Sequence, residues 1–235
     1  MTASRIEPWV LAVAMLLPTL VTWGYFGQSR EPSGQSPQLA YLVGKVVQFG
    51  LPLVVYFWAL KKRPQWRLGK ASWTSAGLVF GGLVLVAAWF GYAWLAGTQP
   101  FLDALGPVQN KVNQLGITTP LRFVMLGVFY SLCHSFLEEY YWRWFVYGRL
   151  RAYLSELPAA VLSSAAFTLH HLLVLSVFFS GAPLVGVVLS LCVLVGGLYW
   201  AWLYERSGSL LGPWLSHLLV DAGIFAVGFQ MVFSN

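Results

Sequence analysis

The chain has 235 residues, of which 58% are hydrophobic and 9% are charged, whereas a soluble domain carries about 25% charged residues. This composition excludes a soluble domain and predicts an integral membrane protein. The net charge of +6 does not indicate nucleic-acid binding, because the basic residues fall between apolar runs, where they report on membrane topology.

Apolar runs of about 20 residues are long enough to cross a bilayer as helices. The sequence contains seven, at residues 8–26, 39–60, 73–96, 121–147, 157–179, 183–204 and 209–232. The first run lacks a small-x-small cleavage site and is interpreted as a retained span rather than a signal peptide. The predicted fold is therefore all-α: one polytopic membrane domain over residues 1–235, with about seven transmembrane helices.

The loops differ in character. Residues 27–38 are rich in Ser, Pro and Gly, and residues 61–72 carry five basic side chains. The longest loop, 97–120, has scattered apolar positions and is a candidate for a short amphipathic helix along the membrane surface. These positions are Phe101, Leu102, Leu105, Val108 and Val112.

Basic residues orient the predicted bundle. With the 61–72 loop in the cytoplasm, nine Lys and Arg residues lie on the cytoplasmic side and three lie outside. The positive-inside rule then predicts a cytoplasmic N-terminus and, with seven spans, an external C-terminus. The nine are Arg5, Lys61, Lys62, Arg63, Arg67, Lys70, Arg149, Arg151 and Arg206; the three are Arg30, Lys111 and Arg122.

Several polar or small residues within spans have ordinary interpretations. Lys45 is interpreted as a cation that extends to the headgroups. Cys133 and Cys192 lie in apolar runs without a CxxC pattern and are expected to be buried small residues. Gly77 and Gly81 form a small-residue pattern typical of helix packing in membranes.

The fourth span contains a Glu-Glu-x-x-x-Arg motif, at Glu138, Glu139 and Arg143. Each ionisable group at the centre of a membrane helix costs about 2.5–3.5 kcal/mol, so the motif needs a physical reason. Arg143 lies one helical turn after Glu139 and can pair with it, which leaves Glu138 as a free acid suited to general-base chemistry. In the alternative, the helix ends here and the charges reach the headgroups, but apolar residues continue to Tyr147.

The other chemically active side chains also lie in the second half of the chain. At about 1.5 Å per residue, Glu138 lies about 16 Å from the cytoplasmic end of its span, His171 about 21 Å, His217 about 15 Å and Asp221 about 21 Å. Three helices thus place polar groups at similar depth, which predicts one site. His134 and His170 are interpreted as hydrogen-bonded packing residues. Asp221 either holds the ring of His217 or acts directly.

These residues resemble the CPBP family, which comprises the intramembrane CAAX proteases and the bacteriocin-processing or Abi proteins. The family's EExxxR motif matches Glu138, Glu139 and Arg143. Its FxxxH motif matches Phe167 and His171, and its motif of His followed four residues later by Asn or Asp matches His217 and Asp221. The resemblance covers about residues 120–230, which form the expected catalytic region.

The resemblance implies a glutamate-dependent intramembrane endopeptidase that needs no cofactor or metal. Glu138 and His171 would activate the attacking water, and His217 with Asp221 would stabilise the oxyanion, while Glu139 and Arg143 would support the site. An ionised Asp221 would repel an oxyanion, so it is either protonated or orients His217. The implied partner is a membrane-associated or lipid-modified protein, or a leader peptide, that reaches the site laterally or from the cytoplasm.

Two alternatives stay open at the level of sequence. A zinc protease could use Glu138, His171 and His217, with His134 nearby, although no HExxH motif is present. Intramembrane Glu, His and Asp residues also form proton relays, and the chain could instead be a transporter or a scaffold. The polar groups occupy one half of the chain only, whereas transporters often show paired halves with interrupted helices.

Overall fold

The computed structural model describes residues 7–26, 36–61 and 70–234. This part of the chain contains eight helices, and seven are long and apolar enough to cross a membrane, which confirms the predicted all-α bundle of spans. The helices are α1 (Pro8–Phe26), α2 (Ser36–Val54, continued by a π-helical turn at Val55–Ala59), α3 (Ala71–Leu95), α4 (Gln99–Gln114), α5 (Pro120–Leu150), α6 (Glu156–Phe178), α7 (Pro183–Ser207) and α8 (Leu211–Phe233).

The observed spans match the predicted ones to within three residues at each end. The predicted 97–120 loop contains α4, so the candidate amphipathic helix is present. Most of the other two predicted loops, at 27–35 and 62–69, lies outside the described residues, as do Arg5, Arg30, Lys62, Arg63 and Arg67.

Local sequence explains where two of these helices begin or end. The hydroxyl of Thr119 accepts a hydrogen bond from the backbone N–H of Arg122 at 3.3 Å, and Pro120 occupies the first turn, so α5 begins with a capped end. Gly208 ends α7 in the left-handed conformation, with φ at 64°, which a residue with a side chain rarely adopts.

Helix α5 is not a regular α-helix. Two π-helical stretches, Tyr130–His134 and Tyr140–Tyr147, flank the short α-helical segment Ser135–Glu139. All eight residues of the second π-helical stretch are buried, so this half of α5 runs through the centre of the bundle. Such π-helical insertions occur frequently at functional sites, and here they bracket the two adjacent glutamates.

Small residues allow α3 and α8 to pack closely along their lengths. A Cβ atom added to Gly77 would overlap the carbonyl of Gly212, and one added to Gly81 would lie 2.6 Å from the carbonyl oxygen of Ser216. The glycine pattern of α3 therefore forms a helix interface. Because Ser216 precedes His217, this interface also sets the position of the histidine-bearing part of α8.

The expectation that both cysteines are buried is wrong. Cys133 on α5 and Cys192 on α7 are free and exposed at the outer surface of the bundle. An apolar run does not distinguish the side of a helix that faces lipid from the side that faces protein. In a membrane both sides are apolar, which explains the error.

Candidate active site

The carboxylate of Glu138 lies at the centre of a buried polar cluster and is 2% exposed. Its Oε1 atom lies 3.4 Å from Nε2 of His170 on α6 and 3.8 Å from Nε2 of His134 on α5 itself. Its Oε2 atom lies 3.7 Å from Nε2 of His217 on α8. Three helices thus bring imidazoles to one carboxylate inside the membrane spans.

His171 completes this cluster from α6. Its Nδ1 atom lies 3.1 Å from the backbone carbonyl oxygen of Phe167, one turn earlier, which leaves Nε2 as the nitrogen available to the cluster. One ligand atom each from Glu138, His170 and His171 lies within 4.8 Å of the other two. The adjacent histidines therefore both border the carboxylate.

The second glutamate, Glu139, is fully buried and has two charged or ionisable neighbours. Its Oε2 atom lies 3.2 Å from Nε of Arg143, and its Oε1 atom lies 2.8 Å from Nδ1 of His217. Arg143 also donates to the carbonyl of Gly197 on α7 at 3.3 Å. The predicted pair of Glu139 with Arg143 is present, and it extends to α7 and α8.

Aromatic rings hold the imidazoles and the guanidinium in place. Trp200 stacks on His217 with ring centroids 4.1 Å apart, and its indole N–H donates to Oγ of Ser216 at 3.0 Å. Arg143 lies over the rings of Phe167 and Trp200. Trp142 lies parallel to His170 at a centroid distance of 5.9 Å. These contacts restrict the orientation of the polar groups and exclude bulk water.

The site is closed on one side and partly open on the other. Five partly exposed residues form its rim, whereas Glu138 and His217 are buried. The side chains of His134 and Asp221 are 17% and 15% exposed, respectively. Asp221 approaches His217, with Oδ1 3.6 Å from Nε2. The rim consists of Tyr41 and Lys45 on α2, Tyr130 and His134 on α5, and Asp221 on α8.

The structure brings together all four residues that the sequence assigns to catalysis, namely Glu138, His171, His217 and Asp221, with Glu139 and Arg143 behind them. The carboxylate next to Nδ1 of His217 is that of Glu139, which the sequence assigns with Arg143 to support of the site. Asp221 faces the other ring nitrogen, Nε2.

The sequence assigns His134 and His170 to hydrogen-bonded packing; both approach Glu138, and that assignment stays a prediction. His170 is buried, with Nε2 3.4 Å from Oε1 of Glu138. The spacing of four residues between His134 and Glu138, and the His170-His171 dipeptide, were available signals for both.

The ammonium group of Lys45, interpreted from the sequence as a cation that extends to the headgroups, has two aromatic neighbours on its own helix. Its Nζ atom lies 5.5 Å from the ring centroid of Tyr41 and 5.6 Å from that of Phe49, which are one turn before and one turn after it. The ammonium group therefore stays near its own level on α2. Phe49 in turn contacts His134 edge-on at 6.2 Å, so Lys45 lies on the side of α2 that faces the polar cluster.

Seven spans around a buried carboxylate and its imidazoles define a multi-pass integral membrane protein with a polar intramembrane site. Residues 120–223 match a family model described as Type II CAAX prenyl endopeptidase Rce1-like. The matched segment contains the whole cluster of α5, α6 and α8, and the match confirms the resemblance to the CAAX protease family. No curated protein and no solved structure matches the chain.

Proposed function

We propose that the protein is a glutamate-dependent intramembrane endopeptidase, with its catalytic region at about residues 120–230, that cleaves a membrane-associated or lipid-modified protein. One observation carries this proposal. Glu138 is buried among imidazoles from three helices, with Nε2 of His170 3.4 Å and Nε2 of His217 3.7 Å from its carboxylate oxygens. A buried carboxylate that faces imidazoles at these distances is the arrangement that general-base chemistry needs.

Glu138 is the candidate general base. A water molecule between Glu138 and His171 would transfer a proton to the carboxylate as its oxygen attacks the carbonyl carbon of the scissile bond. The tetrahedral intermediate would then expel the amine, and Glu138 would return the proton to that leaving group. The rings of Trp142 and Phe167 pack on the imidazoles of His170 and His217, and Glu138 itself is buried, so the carboxylate is shielded from bulk water as this chemistry requires.

His217 is the candidate oxyanion donor. The carboxylate of Glu139 accepts a hydrogen bond from Nδ1–H of His217, which directs Nε2 towards the space between Glu138 and Asp221. When Nε2 is protonated, the ring carries a positive charge beside Glu139 and can donate a hydrogen bond to the developing oxyanion. The pairing of Glu139 with Arg143 keeps the supporting charges balanced.

The decisive experiment measures cleavage of a prenylated CAAX peptide in proteoliposomes. We expect Glu138→Gln, His171→Ala and His217→Ala each to lower the rate by at least about 100-fold, the effect of losing a general base or an oxyanion donor. Glu156→Gln is the matched control, because this carboxylate pairs with Arg206 at the surface, away from the site. Wild-type activity in Glu138→Gln would contradict the proposal.

A second experiment identifies the natural substrates. The membrane proteome of cells that carry Glu138→Gln should contain uncut precursors that are absent from cells with the wild type.

One observation supports a metal-dependent alternative. Glu138, His170 and His171 offer three donors within 4.8 Å of one another, and catalytic zinc sites use three such ligands and keep a fourth position open. This set differs from the sequence-based set, since His170 replaces His217. Donors of a tetrahedral zinc ion lie about 3.4 Å apart, so these side chains would have to draw closer.

Metal analysis of the purified protein separates the two mechanisms. A zinc enzyme would contain about one metal ion per chain, would lose activity on chelation, and would lose the metal in His170→Gln. Retained cleavage by a preparation shown to be free of metal would exclude zinc.

A further inference from the structure

Lys45 is a cation without a carboxylate partner. In the described part of the chain, no carboxylate oxygen lies within 4.0 Å of its Nζ atom, and its contacts are the rings of Tyr41 and Phe49. An ammonium group inside a membrane span is costly, and aromatic faces offset only part of that cost. This arrangement favours an anion that arrives from outside the chain.

The position of Lys45 relates it to the reacting groups. It lies about 21 Å from the end of α2 at Ala59, and Glu138 lies about 18 Å from the end of α5, taking 1.5 Å per residue. Phe49 contacts both the ammonium group and the ring of His134. The ionisable side chains within 4.0 Å of the Glu138 carboxylate, among the described residues, are His134, His170 and His217, and Lys45 is not one of them.

The cation therefore lies on the side of α2 that faces the polar cluster, without an ion pair to Glu138. An ion pair between Lys45 and Glu138 would remove the base that the proposed mechanism needs. Lys45 is partly exposed, so a ligand that enters from the rim can also contact this residue. A peptide cleaved close to its end supplies a suitable anion, its own terminal carboxylate, which accepts charge-assisted hydrogen bonds.

We propose that Lys45 binds the C-terminal α-carboxylate of the peptide substrate. This inference rests on the proposed endopeptidase function and adds a rule of specificity. An extended peptide advances about 3.3–3.6 Å per residue, so a fixed anchor for the chain end places a bond a few residues upstream beside Glu138. The first half of the chain, which contributes none of the predicted catalytic residues, would thereby select where the substrate is cut.

The test compares two prenylated CAAX peptides that differ only at the end, one with a free carboxylate and one with a C-terminal amide. A hydrogen-bonded charge pair favours the carboxylate peptide, and we expect its kcat/KM to be about 10-fold to 100-fold higher in the wild type. Lys45→Met should bring the ratio close to one, and Lys45→Arg should preserve much of it. Lys70→Met, which removes an exposed cation before α3, is the matched control.

The ratio is measured within each variant, so a partial loss of folded protein does not affect it. Equal cleavage of both peptides by the wild type, or an unchanged ratio in Lys45→Met, would overturn the role of Lys45 and leave the peptidase proposal intact. Absence of cleavage of both peptides by the wild type would count against the peptidase proposal.

A binding measurement with Glu138→Gln tests the anchor separately from cleavage. The carboxylate peptide should bind more tightly, and equal affinities would refute the anchor.

Discussion

Nδ1 of His217 lies 2.8 Å from Oε1 of Glu139, and this contact ties the histidine of α8 to the second glutamate of α5. The same carboxylate pairs with Arg143, whose guanidinium reaches the carbonyl of Gly197 on α7. Adjacent glutamates therefore have separate tasks. Glu138 faces the imidazoles of the candidate site, whereas Glu139 fixes one of those imidazoles from behind.

This relationship predicts that Glu139→Gln impairs both stability and catalysis. The change leaves the buried Arg143 without its carboxylate, and breaking a buried ion pair costs about 3–5 kcal/mol. Thermal unfolding in detergent should show the loss. Glu139→Gln combined with Arg143→Met should recover part of the stability, because the unpaired charge is gone. Its cleavage rate should stay low, because His217 still lacks the supporting carboxylate. Strictly additive losses in the double variant would contradict the coupling.

Asp221 is expected to tolerate replacement by its amide. Its Oδ1 atom lies 3.6 Å from Nε2 of His217, on the partly open side of the site. Asp221→Asn keeps the shape and supplies an N–H donor towards an oxyanion, so substantial cleavage of the CAAX peptide should remain. Asp221→Leu keeps a similar volume without polar atoms and should reduce the rate more strongly. Abolished cleavage in Asp221→Asn would show that the negative charge itself is required.

Close packing of α3 against α8 predicts opposite outcomes at two adjacent glycines. A Cβ at Gly81 would lie 2.6 Å from the carbonyl oxygen of Ser216, whereas one at Gly82 meets nothing within 4 Å. Gly81→Ala should destabilise the protein by about 1–3 kcal/mol, the usual range for overpacking, and displace His217. Gly82→Ala should leave the unfolding temperature and the cleavage rate near those of the wild type. Equal behaviour of the two variants would contradict this packing.

The distribution of basic residues predicts the orientation of the bundle. We propose that the N-terminus faces the cytoplasm and that the C-terminus lies outside. In this orientation the five rim residues lie outward of Glu138 and His217 along their helices, so the open side of the site faces away from the cytoplasm, although the sequence predicts a cytoplasmic opening. Single cysteines at Lys61 and at Gln114 test this in a chain whose Cys133 and Cys192 are replaced by alanine. A membrane-impermeant maleimide should label Gln114→Cys in intact cells and Lys61→Cys only after permeabilisation. The reverse pattern would invert the topology.

The sequence predicted the seven spans and the convergence of Glu138, His171 and His217, because apolar length and depth depend only on counting residues along helices. It could not predict how each helix is rotated about its axis. That rotation turns His170 towards Glu138 and Cys192 towards the outer surface. In water, a polar face would reveal the rotation, but a membrane span is apolar on all sides.

The aromatic contacts of Lys45 could not be predicted for a related reason. Lysines at the ends of spans usually extend to the headgroups, and no sequence pattern shows that aromatic rings one turn away on either side hold this one at its own level. Two π-helical stretches in α5 were also unforeseen, since π-helices have no simple sequence signature.

Those two stretches make the length of the central helix as important as its composition. A π-helix carries more residues per turn than an α-helix, so each stretch holds surplus backbone that turns the following side chains. Deleting a single residue between Tyr140 and Trp142 would convert part of this stretch into ordinary α-helix and reduce the spacing of Glu139 and Arg143 from four residues to three. A shortened variant with every other side chain intact therefore tests whether the surplus backbone aligns Arg143 with Glu139.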